Sequence, residues 1–303
     1  MINSEKNEIF NNRPEPESGV LYLVGTPIGN LADISPRAKS LLNKVSFIAC
    51  EDTRHSNYLL KSLGIKASLI SFHKHNAKSK LGKILKLLSE NESIALITDA
   101  GLPGISDPGE ELVAATKKAN HKVICIPGPC AATTALVSSG LPSNKFCFEG
   151  FLPYKTKERE KALNEIAQEK RTTIIYESPK KLLKLLEDLA KVCGEDRPLE
   201  VSRELTKQYE EQIGKTIREV LAHFKEIKPR GEFTIVLGGF YPNEIKEENT
   251  SKLIFMMNNL TKEGATASQA AKEISKQTGQ SRRLLYSLLH QNKSENGNNE
   301  GNA

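Results

Sequence analysis

The sequence predicts an α/β protein: two successive units of strands and helices, then a small helical module. Three observations predict it. Short apolar runs alternate with stretches of helical period, the pattern of a parallel sheet covered on both faces. That rhythm pauses at Gly140-Leu-Pro-Ser143 and restarts, and it stops at Gly238-Gly-Phe-Tyr-Pro242. The 303 residues suffice for two cores at roughly 150 residues per domain.

Residues 1–18 are polar and broken by proline, which predicts a disordered arm. A first unit follows over 19–143. Its strands are expected at 20–24, 45–49, 69–72, 94–98 and 123–126, and its helices include 80–88 and 110–119. Ser35-Pro36 supplies an N-cap and a first-turn proline for another helix, in which Ala38, Leu41, Leu42 and Val45 keep the helical period. The second unit, 144–241, repeats the scheme with strands at 146–149, 173–177, 199–203 and 233–237. Helices are expected between them at 157–168, 180–192 and 217–225, with a further short strand at 209–213. Residues 243–249 read as a charged linker. In the module at 250–291, Thr266-Ala-Ser-Gln269 is a capping box opening a helix over 267–277. Gly279 breaks it, and Ser281 can cap a second helix bearing Leu284, Leu285, Leu288 and Leu289, a helix-turn-helix pattern. The polar tail at 292–303 is expected to be disordered.

Composition narrows the function classes. With 38% hydrophobic and 26% charged residues the chain is neither collagen, coiled coil nor disordered polymer. It has no apolar run near the roughly 18 residues that cross a bilayer and no apolar segment at its N-terminus marking secretion. Five cysteines without a C-x-x-C pair fit a reducing cytoplasm, with no disulfide scaffold and no metal site. The net charge is +6, and residues 251–293 carry seven basic against two acidic side chains, most of that excess. Arg282 and Arg283 open the expected second helix, where a recognition helix presents its first residues, so the module is read as RNA-binding.

Ligands of open α/β sheets bind beyond the carboxyl ends of the strands, and those positions are distinctive here. The first strand runs into Gly25-Thr26-Pro27-Ile28-Gly29-Asn30, which lacks the spacing of a dinucleotide fingerprint or a P-loop. The second ends in Glu51-Asp52-Thr53-Arg54-His55, in which Asp52 or Thr53 would serve as a helix N-cap. Asp99-Ala-Gly-Leu-Pro-Gly-Ile-Ser-Asp-Pro-Gly109 is longer than a plain turn of about 2–6 residues, which favours a binding loop. Small side chains in Pro127-Gly-Pro-Cys-Ala-Ala132 leave room for a planar ligand. Tyr176-Glu177-Ser178 and Arg203-Glu-Leu-Thr-Lys207 complete the set.

These blocks, with Phe148-Glu-Gly-Phe-Leu-Pro153, resemble in order the signatures of the tetrapyrrole-methylase superfamily of S-adenosylmethionine-dependent methyltransferases. Within it they are similar to the branch acting on small-subunit ribosomal RNA. The resemblance is dense from Gly19 to Gly239. It implies two α/β domains with the cofactor in the cleft between them, a homodimer, and methylation of the ribose 2′-hydroxyl of a cytidine in the decoding region of 16S rRNA. It also implies cofactor contacts at Thr26, Pro27, Ile28, Gly29, Asp99, Pro103, Ile105, Cys130, Ala131, Tyr176, Glu177, Leu205 and Thr206. A porphyrinoid methylase of the same fold and a non-catalytic ribosome-assembly factor are the competing functions. A ribose hydroxyl is a poor nucleophile until its proton leaves, so a nearby base is expected. Lys207, Glu51 and Glu204 are the candidates, and Lys207 would need a depressed pKa to serve. Arg54, His55 and Arg203, with Arg282 and Arg283, are candidate RNA contacts.

Overall fold

The computed structural model describes residues 14–241, 247–278, Leu285 and Leu288. Residues up to Phe240 form one compact unit and those from Tyr241 a second. The first unit is built on two five-stranded sheets.

The first sheet contains β1 (Val20–Val24), β2 (Phe47–Cys50), β3 (Leu69–Ser71), β4 (Ile94–Leu96) and β5 (Lys122–Ile126) in the order β3-β2-β4-β1-β5, all parallel. Alternation along β1 shows why both faces are covered. Val20, Tyr22 and Val24 pack with Leu41 and Leu42 of α1 (Pro36–Leu42) and Leu60 of α2 (Thr53–Ser62). Leu21 turns to the opposite face, onto Ile84 and Leu88 of α3 (Ala77–Ser89) and Leu112 of α4 (Glu110–Lys118). Both expected caps form: Ser35 accepts from Ala38 N–H at 3.0 Å, and Asp52 accepts from Arg54 N–H at 2.9 Å.

The second sheet contains β6 (Phe146–Phe151), β7 (Thr172–Glu177), β8 (Leu199–Arg203), β9 (Glu211–Ile213) and β10 (Phe233–Leu237) in the order β6-β7-β10-β8-β9. Here the expected parallel pairing is corrected. Only β6 and β7 are parallel, and β10 lies antiparallel between β7 and β8. Apolar periodicity specifies a strand but not its direction, which the crossovers decide. One face of this sheet packs on α6 (Thr156–Gln168), α7 (Pro179–Cys193) and α8 (Ile217–Glu226). The other face, through Ile174 and Val236, packs on Ile28, Leu205 and the alanine-rich α5 (Ala131–Ser138). Small side chains on α5 let it lie close against β7 and β10.

Two tertiary ties were not expected. Residues 14–18 are held down rather than disordered: Arg37 donates to Glu15 at 2.9 Å and Glu17 N–H donates to the Tyr22 hydroxyl at 2.7 Å. Residues 1–13 of the expected arm lie outside the described residues. Arg197, 7% exposed, donates to the carbonyls of Gly238 (2.7 Å), Ala167 (3.0 Å) and Glu169 (3.0 Å). It thereby satisfies the end of α6, whose last carbonyls have no helical partner. Arg197→Met is expected to destabilise the chain by about 2–4 kcal/mol, read from the urea midpoint, because these buried acceptors are left unpaired.

In the second unit α9 (Glu247–Lys262) starts inside the expected linker, and α10 (Ala267–Thr278) begins at the expected capping box. Thr266 N–H donates to Gln269 Oε1 at 2.9 Å, and Gln269 N–H returns to Thr266 Oγ1 at 3.3 Å. Leu253 and Met257 of α9 pack with Ala271, Ile274 and Leu285. The helix expected from Ser281, with Arg282 and Arg283, and the tail at 292–303 lie outside the described residues, Leu285 and Leu288 excepted.

Candidate active site

The carboxyl ends of β2, β4, β6, β7 and β8 and the amino end of β10 converge on a cavity of about 440 Å³. That size falls within the range of small-molecule sites. Register explains the convergence. Phe233 at the start of β10 pairs with Glu177 at the end of β7 and with Arg203 at the end of β8. An antiparallel strand thus presents its beginning where its neighbours present their ends.

Close backbone approach builds one wall. A methyl at Gly25 would sit 2.6 Å from Gly128 Cα, so the loops after β1 and β5 touch with no room for a side chain on either. Thr26 is wholly buried. Its N–H donates to the Gly101 carbonyl at 2.9 Å and its hydroxyl to the Thr98 carbonyl at 3.2 Å, tying the first loop to the Asp99 loop. Thr26 is therefore a tie rather than a wall, and Pro27 and Pro103 are buried and do not line the cavity. Gly29 packs against Lys207 and Thr206, and the Thr206 hydroxyl accepts from Asn30 N–H at 3.1 Å. That contact latches the first sheet's loop to the second's.

Of the expected cofactor residues, Ile28, Asp99, Ile105, Cys130, Ala131, Tyr176, Glu177 and Leu205 line the cavity. Ala132 N–H, in the first turn of α5, donates to the Tyr176 hydroxyl at 3.0 Å and pins that ring. Glu177 is 6% exposed and accepts from Ser178 N–H at 2.8 Å. The apolar side chains of Ile28, Ala131 and Leu205 share the cavity with three acids, Glu51, Asp99 and Asp107. Burial, then the Glu51 and Asp99 charges, push the Asp107 carboxyl up to about 6, against a hydrogen bond with Thr98. Burial and Asp99 also raise Glu51, partly offset by His73. Asp99 Oδ1 is buried without a hydrogen-bond partner. Among the described residues no three acids, histidines or cysteines are placed to hold a metal ion. A half-buried acid cluster with one unpaired buried oxygen suits an organic cation.

Of the three candidate bases, only Glu51 lines the cavity. Lys207 is corrected. Burial would lower its pKa, but hydrogen bonds to Glu232 (2.9 Å) and Glu204 (3.0 Å) outweigh that and raise it, so its proton is held. Glu204 accepts from Lys207 and from Glu232 N–H at 2.9 Å. Its pKa is lowered: burial opposes the shift, and these hydrogen bonds prevail. Both residues close the seam between the loops instead of facing the cavity.

The expected RNA contacts of the first unit, Arg54, His55 and Arg203, do not line the cavity. Arg54 is exposed and returns to its own cap residue, Asp52, at 3.0 Å; His55 is exposed beside it. Arg203 is held by the Arg230 carbonyl (2.7 Å) and by Glu211 (3.1 Å). Lining residues outside the expected contacts include Asp107, Phe151, Ser202 and residues 232–234. Asp107 was in view, within a loop already read as binding. Residues 232–234 carried no signal, because they stand at the start of a strand rather than at its end.

Residues 20–221 match the family model for tetrapyrrole (corrin/porphyrin) methylases. The chain is 46% identical over 270 residues, 89% of its length and 97% of the relative's, to ribosomal RNA small subunit methyltransferase I of Synechocystis. It is 49% identical over 228 residues, 75% of its length and 80% of the relative's, to the enzyme of that name in Escherichia coli O157:H7. Among solved structures, uroporphyrin-III-C-methyltransferase of Thermus thermophilus superposes with a TM-score of 0.52 at 18% identity, over 73% of this chain and 94% of that one. That last likeness concerns the fold alone.

Proposed function

The chain belongs to the tetrapyrrole (corrin/porphyrin) methylase family, in its ribosomal RNA small subunit methyltransferase I group, and on that premise we propose its reaction. It transfers a methyl group from S-adenosylmethionine to the ribose 2′-hydroxyl of a cytidine in the decoding region of 16S rRNA. The identity to these relatives over almost their whole length carries this reading. The acid-lined cavity supports the cofactor, which supplies a methyl group on a positively charged sulfur.

Ile28, Cys130, Ala131 and Leu205 would take the adenosine, and Asp99 with Glu51 would face the donor's positive charge. Methyl transfer to a hydroxyl releases one proton, and the chain must accept it. Asp107 takes that proton: it lies in the cavity and its proton affinity is matched to neutral solution. Glu51 raises that affinity through its charge. The aligned loops fix the approach of the hydroxyl, and positioning of this kind supplies much of a two-substrate rate. Arg54, His55 and Arg203 outside the cavity, with Arg282 and Arg283, are the proposed RNA contacts of a cytoplasmic homodimer.

The test is methyl transfer from labelled S-adenosylmethionine to unmethylated small ribosomal subunits, with the product nucleoside mapped by mass. A 2′-O-methylcytidine is expected, and transfer to porphyrinoids instead would overturn the proposal. Removal of residues 249–303 is expected to weaken subunit binding and leave donor affinity unchanged. Loss of both would assign the module a packing role.

A further inference from the structure

One aromatic ring at the cavity rim is not among the residues assigned to the donor. In β6 the ladder with β7 shifts between Phe148 and Gly150: Phe148 pairs with Ile174, Gly150 with Ile175 and Phe151 with Tyr176. Glu149 is the extra residue of a bulge. Three residues apart, Phe148 and Phe151 would face opposite sides of a regular strand, and the bulge returns both to one side. Their rings flank Tyr176 edge-on, with centroids 5.0 Å and 5.7 Å away. Gly150 permits this. Its φ is +60°, and a methyl there would lie 2.9 Å from the Ser106 hydroxyl of the Asp99 loop.

The outcome is a phenyl ring 55% exposed on a rigid mount at the edge of the cavity. Tyr154, 78% exposed, follows it, and the Lys181 ammonium lies 3.1 Å from that ring's centre. Lys180 stands beside Lys181, and neither has a carboxylate within ion-pair distance among the described residues. An open ring continuous with a reaction cavity, next to unpaired cations, suits a nucleotide: the ring stacks a base and the cations meet phosphate.

We infer that Phe151 is the stacking platform for the base of the nucleotide whose ribose enters the cavity, with Tyr154 and Lys181 receiving the adjoining nucleotide. This rests on the ribosomal RNA reading. The experiment measures steady-state methyl transfer to unmethylated small subunits, and S-adenosylmethionine binding by calorimetry, for the wild type, Phe151→Ala and Phe151→Tyr. Phe151→Ala is expected to raise the KM for subunits by about 10–100-fold, the range for one lost base stack. Donor Kd and Tm stay within error, and Phe151→Tyr restores KM to within about threefold of the wild type, since the stacking face returns.

Unchanged KM in Phe151→Ala overturns the inference, and so does a weakened donor Kd, which would place the ring on the cofactor. A change of oligomeric state on gel filtration also overturns it, in favour of a contact between copies of the chain. In each of these cases wild-type transfer to subunits leaves the functional reading standing. Wild-type protein that methylates no subunit removes both.

Discussion

Asp107→Asn is expected to lower kcat for methyl transfer by about 10²–10⁴-fold and, at pH 7, to raise the melting temperature. Both effects have one cause. The Asp107 carboxyl is held in the folded chain at about 6, above its ordinary 3.8, by burial and by the charges of Glu51 and Asp99. Between these two values the folded state binds more protons than the unfolded state, so stability falls as pH rises through that window. The favourable contribution is complete below about pH 4 and lost above pH 6. At pH 7 the ionised group therefore costs the fold about 1–3 kcal/mol, which an amide removes. Differential scanning calorimetry at pH 4 and pH 7 checks it, with Asn stabilising only at the higher pH. Kinetics give an independent check. The acid limb of wild-type kcat/KM should lie near pH 6, and Glu51→Gln, which deletes a charge that raises Asp107, should move that limb to lower pH. A limb that stays in place, or an Asn variant with normal kcat, rules Asp107 out as proton acceptor.

Gly128→Ala is expected to weaken S-adenosylmethionine binding at least tenfold and to destabilise the chain by about 1–3 kcal/mol. The added methyl would lie 2.7–2.9 Å from Gly25 Cα, C and O, where the obstacle is backbone and has no rotamer to change. Gly25 is continuous with Thr26, which hydrogen bonds fasten to Gly101 and Thr98, so the first loop gives way only by disturbing the Asp99 loop. Ile28 and Cys130, on opposite sides of the clash, are both cavity walls. Gly82→Ala is the control: nothing lies within 4 Å of its added methyl inside α3, and that variant should be neutral or slightly more stable. Calorimetric titration with the donor and a urea melt read both variants. Equal donor affinity in Gly128→Ala would mean that the contact between the loops does not shape the site.

Much of the fold was legible because its determinants are local. Ser35 and Asp52 cap helices through side chains within three residues of their targets, and Thr266 with Gln269 does the same. The buried strands of the first sheet carry continuous apolar runs, and their loops follow them directly in sequence. The less legible parts depend on partners far along the chain. The first residues of α9, 247–249, are polar and read as linker. The anchoring of residues 14–18 requires Arg37 and Tyr22, whose positions are set by packing.

The sequence by itself determined the two runs of strands, most helices, the family resemblance and the loops that meet at the cavity. Each is written in neighbouring residues, as hydrophobic period, cap chemistry or an ordered block. Only the tertiary structure decided that β10 runs antiparallel and brings residues 232–234 to the cavity, and that Lys207 is neutralised by Glu204 and Glu232. It alone placed Asp107 among other acids and turned Phe151 to the rim. Strand direction, proton affinity and the aim of a side chain at a bulge are set by groups that folding brings close in space, whatever their separation along the chain.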